Sequence, residues 1–256
     1  MNESKILSIA TAEEKAMDIL ELELLEPLTV ASRGCDLIGR VLEKATSSNL
    51  RPAQSKKVSM ALLSRIANDL RCCILLAVRG YGAQACSIAA SIYEECFTSL
   101  AVGTNEALAQ DWIDHPDPTR TLKSVNELTD IGLIALAVKI PEVHGREYLK
   151  FRNLCLAKHS NPLYIKQRAY VRSSEGAVLK SGPDTSEVGI KDAWFALEHA
   201  AGFSFLATAG FLKHHIAAES ELLAELGEIE DALISLNGRA VSRWGSEDPF
   251  PGKWKL

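Results

Sequence analysis

The chain has 256 residues, 47% of them hydrophobic and 24% charged, with a formal net charge of −5 and a pI near 5.7. A chain of this size and composition buries enough surface to fold without disulfides or a structural metal. Its acidic balance excludes a general nucleic-acid coating protein, so any RNA or DNA contact has to come from a local basic patch.

The cysteines Cys35, Cys72, Cys73, Cys86, Cys96 and Cys155 show no CxxC spacing and lie mostly in apolar helical patterns. A thiol in that setting acts as a small hydrophobe, so reduced cysteines and a cytoplasmic location are expected. The opening MNESKILSIA lacks the basic and apolar regions of a signal peptide. The longest apolar run, 200–212, is too short to span a bilayer, so no membrane partner is expected.

In chain order, residues 11–26 read as a helix opened by Thr11, with Glu14 at capping-box spacing. Pro27 suits the first turn of a second helix running to about Ala45. Residues 53–79 carry the clearest stripe: Val58, Leu62, Ile66, Leu70, Cys73 and Ala77 recur at steps of three and four. Gly80 and Gly82 turn the chain into a helix over 82–101, whose many alanines allow the two helices to pack as a close antiparallel hairpin near the centre.

Further helices are expected over 104–114 and 119–139, with HPDP (115–118) as a loop between them. Pro141 opens another, which reaches Ser160 and is stopped by Asn161-Pro162. Residues 163–187 read as a β-hairpin or ordered loop around Ser174-Glu175-Gly176. Residues 189–215 are apolar almost all round, hence a buried helix. Residues 216–237 are amphipathic and end at Asn237-Gly238, and the irregular tail 242–256, with Trp244, Phe250 and Trp254, is expected to pack back on the body. No repeat or linker marks a boundary. The expected fold is therefore all-α, one domain over 1–241 with about seven or eight helices and a small hairpin or loop insertion near 163–187.

Several familiar patterns carry no chemistry here. Gly80-Tyr81-Gly82 with Ala85 fits GxGxxA, but the run before it belongs to a helical stripe rather than a strand, so it reads as a helix-hairpin turn. The six histidines form no HExxH and no paired ExxH, so neither a metal nor a cofactor is expected. No serine sits in a GxSxG elbow. The acids from Glu219 to Asp231 read as a solvated helix face.

The stretch 148–162, YLKFRNLCLAKHSNP, is different. Arg152 and His159 are seven residues apart and point the same way on a helix, with Tyr148 and Cys155 in their direction. That places them on an apolar face, where an arginine needs a partner; Glu94 and Glu198 are the candidate carboxylates. Between Tyr148 and Ser174 there is no Asp or Glu, but there are Lys150, Arg152, Lys158, Lys166, Arg168 and Arg172, interleaved with Phe151, Tyr164 and Tyr170. Such a stretch suits a phosphate backbone with stacking bases, for which Lys158, Lys166, Arg168 and Tyr164 are the candidate contacts.

Arg152-Asn153 followed by His159 resembles the Arg-polar-x(n)-His motif of the HEPN superfamily. The helix pair containing RGYGAQACSIAASIYEE (79–95) is also similar to uncharacterised bacterial helical proteins with a Gly-Tyr, small-residue, Tyr-Glu pattern, in which an arginine often stands where this chain has Ser91. The likeness covers about 53–160, and the Arg–His spacing here is the longest of the usual ones. It implies a metal-independent endoribonuclease of a toxin or phage-defence system, acting as a homodimer. Arg152, His159 and Asn153 would be its catalytic groups: His159 for proton transfer, Arg152 for transition-state charge and Asn153 to orient the phosphate. The competing expectation is a non-catalytic interaction or scaffold protein with a protein partner, in which Arg152 and His159 form a buried structural pair.

Overall fold

The computed structural model describes residues 3–47, 51–116, 122–138, 141–159, 161–173, 176–179, 181–216 and 219–245. Ten helices and one short hairpin occur among them. In order these are α1 (Glu3–Glu23), α2 (Leu25–Ser47), α3 (Gln54–Val78), α4 (Gly82–Gly103), α5 (Glu106–Ile113), α6 (Val125–Ala135), α7 (Pro141–Lys158), α8 (Pro162–Ala169), β1 (Tyr170–Ser173), β2 (Gly176–Leu179), α9 (Glu187–His215) and α10 (Ser220–Trp244). The fold is an all-α helical bundle.

Its centre is α9, packed against α4, α3, α2 and α10. An 18-residue window of α9 is apolar enough to cross a membrane, but 78% of that window is buried inside the protein, as in a core helix. The stripe on α3 behaves as its spacing predicts, with Val58, Leu62, Ile66, Leu70, Cys73 and Ala77 all buried. On α4 the small residues Ala85, Cys86, Ala89 and Ala90 are buried, which lets α3 and α9 approach closely. Cys35, Cys73, Cys86 and Cys96 are buried free thiols, and burial pushes the pKa of each up.

Gly80 and Gly82 are structural. Gly80 adopts φ +83, a left-handed conformation that closes α3 and that side chains disfavour. A Cβ on Gly82 would stand 2.7 Å from the Ala193 nitrogen and 2.8 Å from the Gly189 carbonyl oxygen, both backbone atoms of α9.

Several boundaries differ from the sequence reading. Helix α1 begins before Thr11, which therefore does not cap it. The capping box is at Ser124: its hydroxyl accepts from the Glu127 N–H at 3.3 Å, and the Glu127 carboxylate accepts from the Ser124 N–H at 2.9 Å. Helix α7 does stop before Asn161-Pro162, at Lys158, but Pro162 at once opens α8 inside the stretch read as a hairpin or loop, so among the described residues only 170–173 and 176–179 pair as antiparallel strands, from Tyr170↔Leu179 to Ser173↔Gly176. Helix α10 passes through Asn237-Gly238 to Trp244 and stops at Gly245, φ +84. Trp244 is thus helical and meets Trp194 edge-on at 5.6 Å; Phe250 and Trp254 lie outside the described residues.

The acids of α10 are more than a solvated face. Glu219, Glu225 and Glu228 pair with Lys44, Arg40 and Arg33 of α2, and Glu26 of α2 pairs with Arg239. Each exposed pair contributes about 0–1 kcal/mol, so the row fixes register more than stability.

The close approach at Gly82 predicts that Gly82→Ala lowers stability by about 1–3 kcal/mol, because neither contacting atom of α9 can rotate away. Urea denaturation of the variant beside the wild type measures the loss, and equal midpoints would contradict the packing described.

Candidate functional site

Helix α7 is held by one apolar edge. Phe151 and Leu154 are buried, and Phe151 stacks on Tyr93 of α4 at 4.7 Å between ring centroids. Tyr93 also meets Phe97 at 4.6 Å and Phe203 of α9 at 4.9 Å, and its hydroxyl bonds Thr129 of α6 at 2.9 Å. This aromatic cluster fixes the rotation of α7.

With the rotation fixed, Arg152 and His159 are both exposed. This corrects the expectation that they lie inside the apolar face. At about 100° per residue, Arg152 stands about 100° from Phe151 and His159 about 80°. They occupy the rim, with half-buried Tyr148 and Cys155 between them and the core. They still share one direction, separated by about 10 Å along the helix. Neither side chain has a hydrogen bond or ion pair among the described residues. The buried structural pair is therefore overturned, along with both candidate partners. Glu94 accepts from Lys158 Nζ at 2.8 Å, and Glu198 Oε1 accepts from Asn237 Nδ2 at 3.1 Å.

The other expected site residues divide. Asn153 is 7% exposed and turned into the protein, away from the side that Arg152 presents. Lys158 is engaged by Glu94, and Lys150 donates to Glu147 at 2.9 Å. Lys166 is exposed. Arg168 and Tyr164 form the buried charge network that had been expected around Arg152. Arg168 Nη2 donates to Asp192 Oδ1 at 2.7 Å and its Nε donates to Oδ2; the Tyr164 hydroxyl donates to Oδ2 at 3.3 Å. Burial works against the Arg168 charge, but the bonds to Asp192 outweigh it and raise its pKa. Tyr164 and Arg168 also line a cavity of about 430 Å³ between the starts of α4 and α9 and helix α8.

Asp192 is the residue that sequence reasoning missed. Its signal was a carboxylate set among apolar residues of α9, as Glu198 is. A second cleft, of about 480 Å³, lies between α7, α9 and α10. Neither Arg152 nor His159 lines either cavity. Among the described residues, no three His, Cys, Asp or Glu side chains converge as a metal site would need.

Compared with known proteins, the chain matches no family model, no curated relative and no solved structure.

The two arginines should respond oppositely to truncation. Arg168→Ala strands a buried carboxylate and is expected to cost about 3–5 kcal/mol, whereas Arg152→Ala should change stability by no more than about 0.5 kcal/mol. Thermal melts of both variants check this, and a severe loss with Arg152→Ala would restore the buried-pair reading.

Three desolvated groups, buried His199 and Glu95 and half-buried His215, set a pH dependence. Burial holds His199 down to about pKa 3 and His215 to about 4, while burial and the nearby Asp69 lift Glu95 to about 7 against the pull of Arg65. Below about pH 6.5 the unfolded histidines take up protons that the folded ones refuse, so their contribution falls as pH drops. Glu95 acts oppositely: folded, it keeps a proton that the unfolded chain has released between about pH 4.5 and 7, so its contribution is present in acid and lost as pH rises through 7. Between pH 7 and 5 the melting temperature of Glu95→Gln should consequently fall more steeply than that of the wild type. Parallel curves would refute the assignment to Glu95.

Proposed function

We propose that the chain is a HEPN-like, metal-independent endoribonuclease that works as a homodimer, with the outward side of α7 as its RNA face. The observation that carries this reading is selective. Within the basic stretch, Lys150, Lys158 and Arg168 are each neutralised by a carboxylate, while the side chains of Arg152 and His159 are exposed on one side of α7, about 10 Å apart, without a partner among the described residues. A guanidinium and an imidazole in that state are free to meet a phosphate and to move a proton.

The chemistry needs this pair and solvent water, which completes whichever proton transfer His159 does not make. The RNA 2′-oxygen attacks the neighbouring phosphorus and the P–O5′ bond breaks, leaving a 2′,3′-cyclic phosphate and a 5′-hydroxyl. His159 takes the 2′ proton or delivers one to the 5′-oxygen, and Arg152 holds the charge on the equatorial oxygens. Buried Asn153 has no direct part in this scheme, and exposed Lys166 serves a flanking phosphate.

Spacing and surface support the homodimer. Arg152 and His159 of one copy stand about 10 Å apart along α7. An antiparallel pairing of two α7 helices sets each Arg152 against the His159 of the second copy. Leu149, 47% exposed, and half-buried Leu156 lie within about 60° of Arg152 and supply apolar contact for that pairing.

The test is RNA cleavage in excess chelator, with end-group analysis for the cyclic phosphate. His159→Ala and Arg152→Ala should each abolish cleavage while melting within about 0.5 kcal/mol of the wild type. Mixing the two inactive variants should restore part of the activity, since one site of a mixed dimer keeps both groups. A wild type inactive on varied RNAs would end the enzyme reading and leave a helical interaction protein.

A further inference from the structure

A groove of about 320 Å³ lies between the junction of α1 with α2, Trp194 of α9 and the end of α10. Leu22, Leu25, Trp194 and Trp244 form its apolar lining. Leu22 is 79% exposed and Leu25 61%, so both turn apolar surface to water among the described residues. The charges around them are matched inside the groove: Arg239 pairs with Glu26, and Arg243 with Glu23 at 3.0 Å. What the groove leaves uncovered is apolar area rather than charge, so its occupant has to be apolar too.

Helix α10 ends at this groove, which is lined by its last two residues, Arg243 and Trp244. Gly245, at φ +84, stops the helix in the left-handed conformation and turns the chain off its axis. The sequence that follows, SEDPFPGKWKL over 246–256, lies outside the described residues. Phe250 is five positions past Gly245, within about 17 Å of it on an extended chain. It stands between Pro249 and Pro251, which fix their own φ and favour extended backbone at the residues before them. Extended proline-bearing segments suit aromatic-lined grooves, because little conformational freedom is left to lose on docking. A second copy is a poorer fit: a stable dimer covers about 800 Å² on each partner, whereas a groove of about 320 Å³ takes one ring and its neighbours.

We propose that this groove is the docking site of the chain's own segment Pro249-Phe250-Pro251. The Phe250 ring covers Leu22 and Leu25, and the flanking prolines lie against Trp244. Helix α1 packs chiefly on α3 and α2, so the docked segment ties it to the end of α10, alongside the bond from Arg243 Nη1 to Glu23 Oε2.

The experiment uses the full chain with 4-fluorophenylalanine in place of Phe250 alone, read by fluorine NMR beside a synthetic 246–256 peptide carrying the same label. The signal of the chain should be shifted from that of the peptide and independent of protein concentration. Leu22→Ser and Leu25→Ser, tested singly, should each return it most of the way to the peptide position. Both leucines are exposed, so the fold should survive, and thermal melts check that it does. Trp254→Ala should leave the signal where it is. A signal already at the peptide position in the unsubstituted chain would overturn the docking, and one unmoved by both leucine variants would overturn the groove. Release by Trp254→Ala would overturn Phe250 as the occupant, and a shift that grows with concentration would overturn docking within one chain in favour of a second copy. Should one leucine variant fail to fold, the other decides.

Discussion

The rest of the structure depends on the burial of α9. A helix of 29 residues is about 43 Å long, and this one is apolar on nearly every side. Water is a poor solvent for such a surface, so other helices have to enclose it: α4 and α3 along one side, α2 and α10 along another. Enclosure in turn dictates what happens to each polar side chain α9 carries. Ser204 donates to the Ala200 carbonyl and Thr208 to that of Ser204, both at 2.7 Å, so these hydroxyls are satisfied within the helix. Asp192 cannot be satisfied that way and draws in Arg168 and Tyr164 from α8. Glu198 takes Asn237 from α10. The small helix α8 is therefore tied to the core by charge rather than by apolar area.

That requirement also decides the fate of the basic stretch. Counted along the chain, Tyr148 to Ser174 is a run of cations without an acid. In space it is not a basic surface, because carboxylates distant in sequence reach it: Glu94 from α4 and Asp192 from α9. The same holds between α2 and α10, where Lys44 and Arg33 meet an acidic run 175 and 195 positions away. Charge clusters in this chain are mostly halves of interhelical pairs, and the informative groups are those the pairing leaves over.

Elements governed by local periodicity were legible in the sequence. The α3 stripe, the turn at Gly80, the small-residue face of α4 and the buried character of α9 follow from spacings of three and four and from side-chain size. Helix ends were less legible. Gly238 has a good stop signal behind it in Asn237, but α10 continues because its apolar face, through Leu236 and Ala240, still has α9 and α2 to pack on. Pro162 reads as a stop after Asn161, but proline is equally suited to open a helix, and α8 exists because Tyr164 and Arg168 have Asp192 to meet. No local signal near Pro162 announces Asp192.

Arg152 illustrates the finest level of failure and its cause. Placing it with Tyr148 and Cys155 was correct, since the three lie within about 60° of one another. The error lay in taking Tyr148 and Cys155 as the centre of the buried face. That centre is Phe151 and Leu154, because Tyr93 has one free ring face and Phe151 covers it at 4.7 Å. A rotation of α7 by about 80° would centre the buried face on Tyr148 and Cys155, bring Arg152 to its edge and turn Leu154 out, and the identity of the residues on α7 alone does not decide between the two. The decision belongs to Tyr93, held in place by Phe97, Phe203 and the bond to Thr129. This aromatic contact sets both flanks of α7 at once. It turns Arg152 and His159 outward on one side and sets Arg146 and Lys150 toward the α9–α10 cleft on the other. The packing of Phe151 on Tyr93 is therefore the contact that orients both flanks of α7.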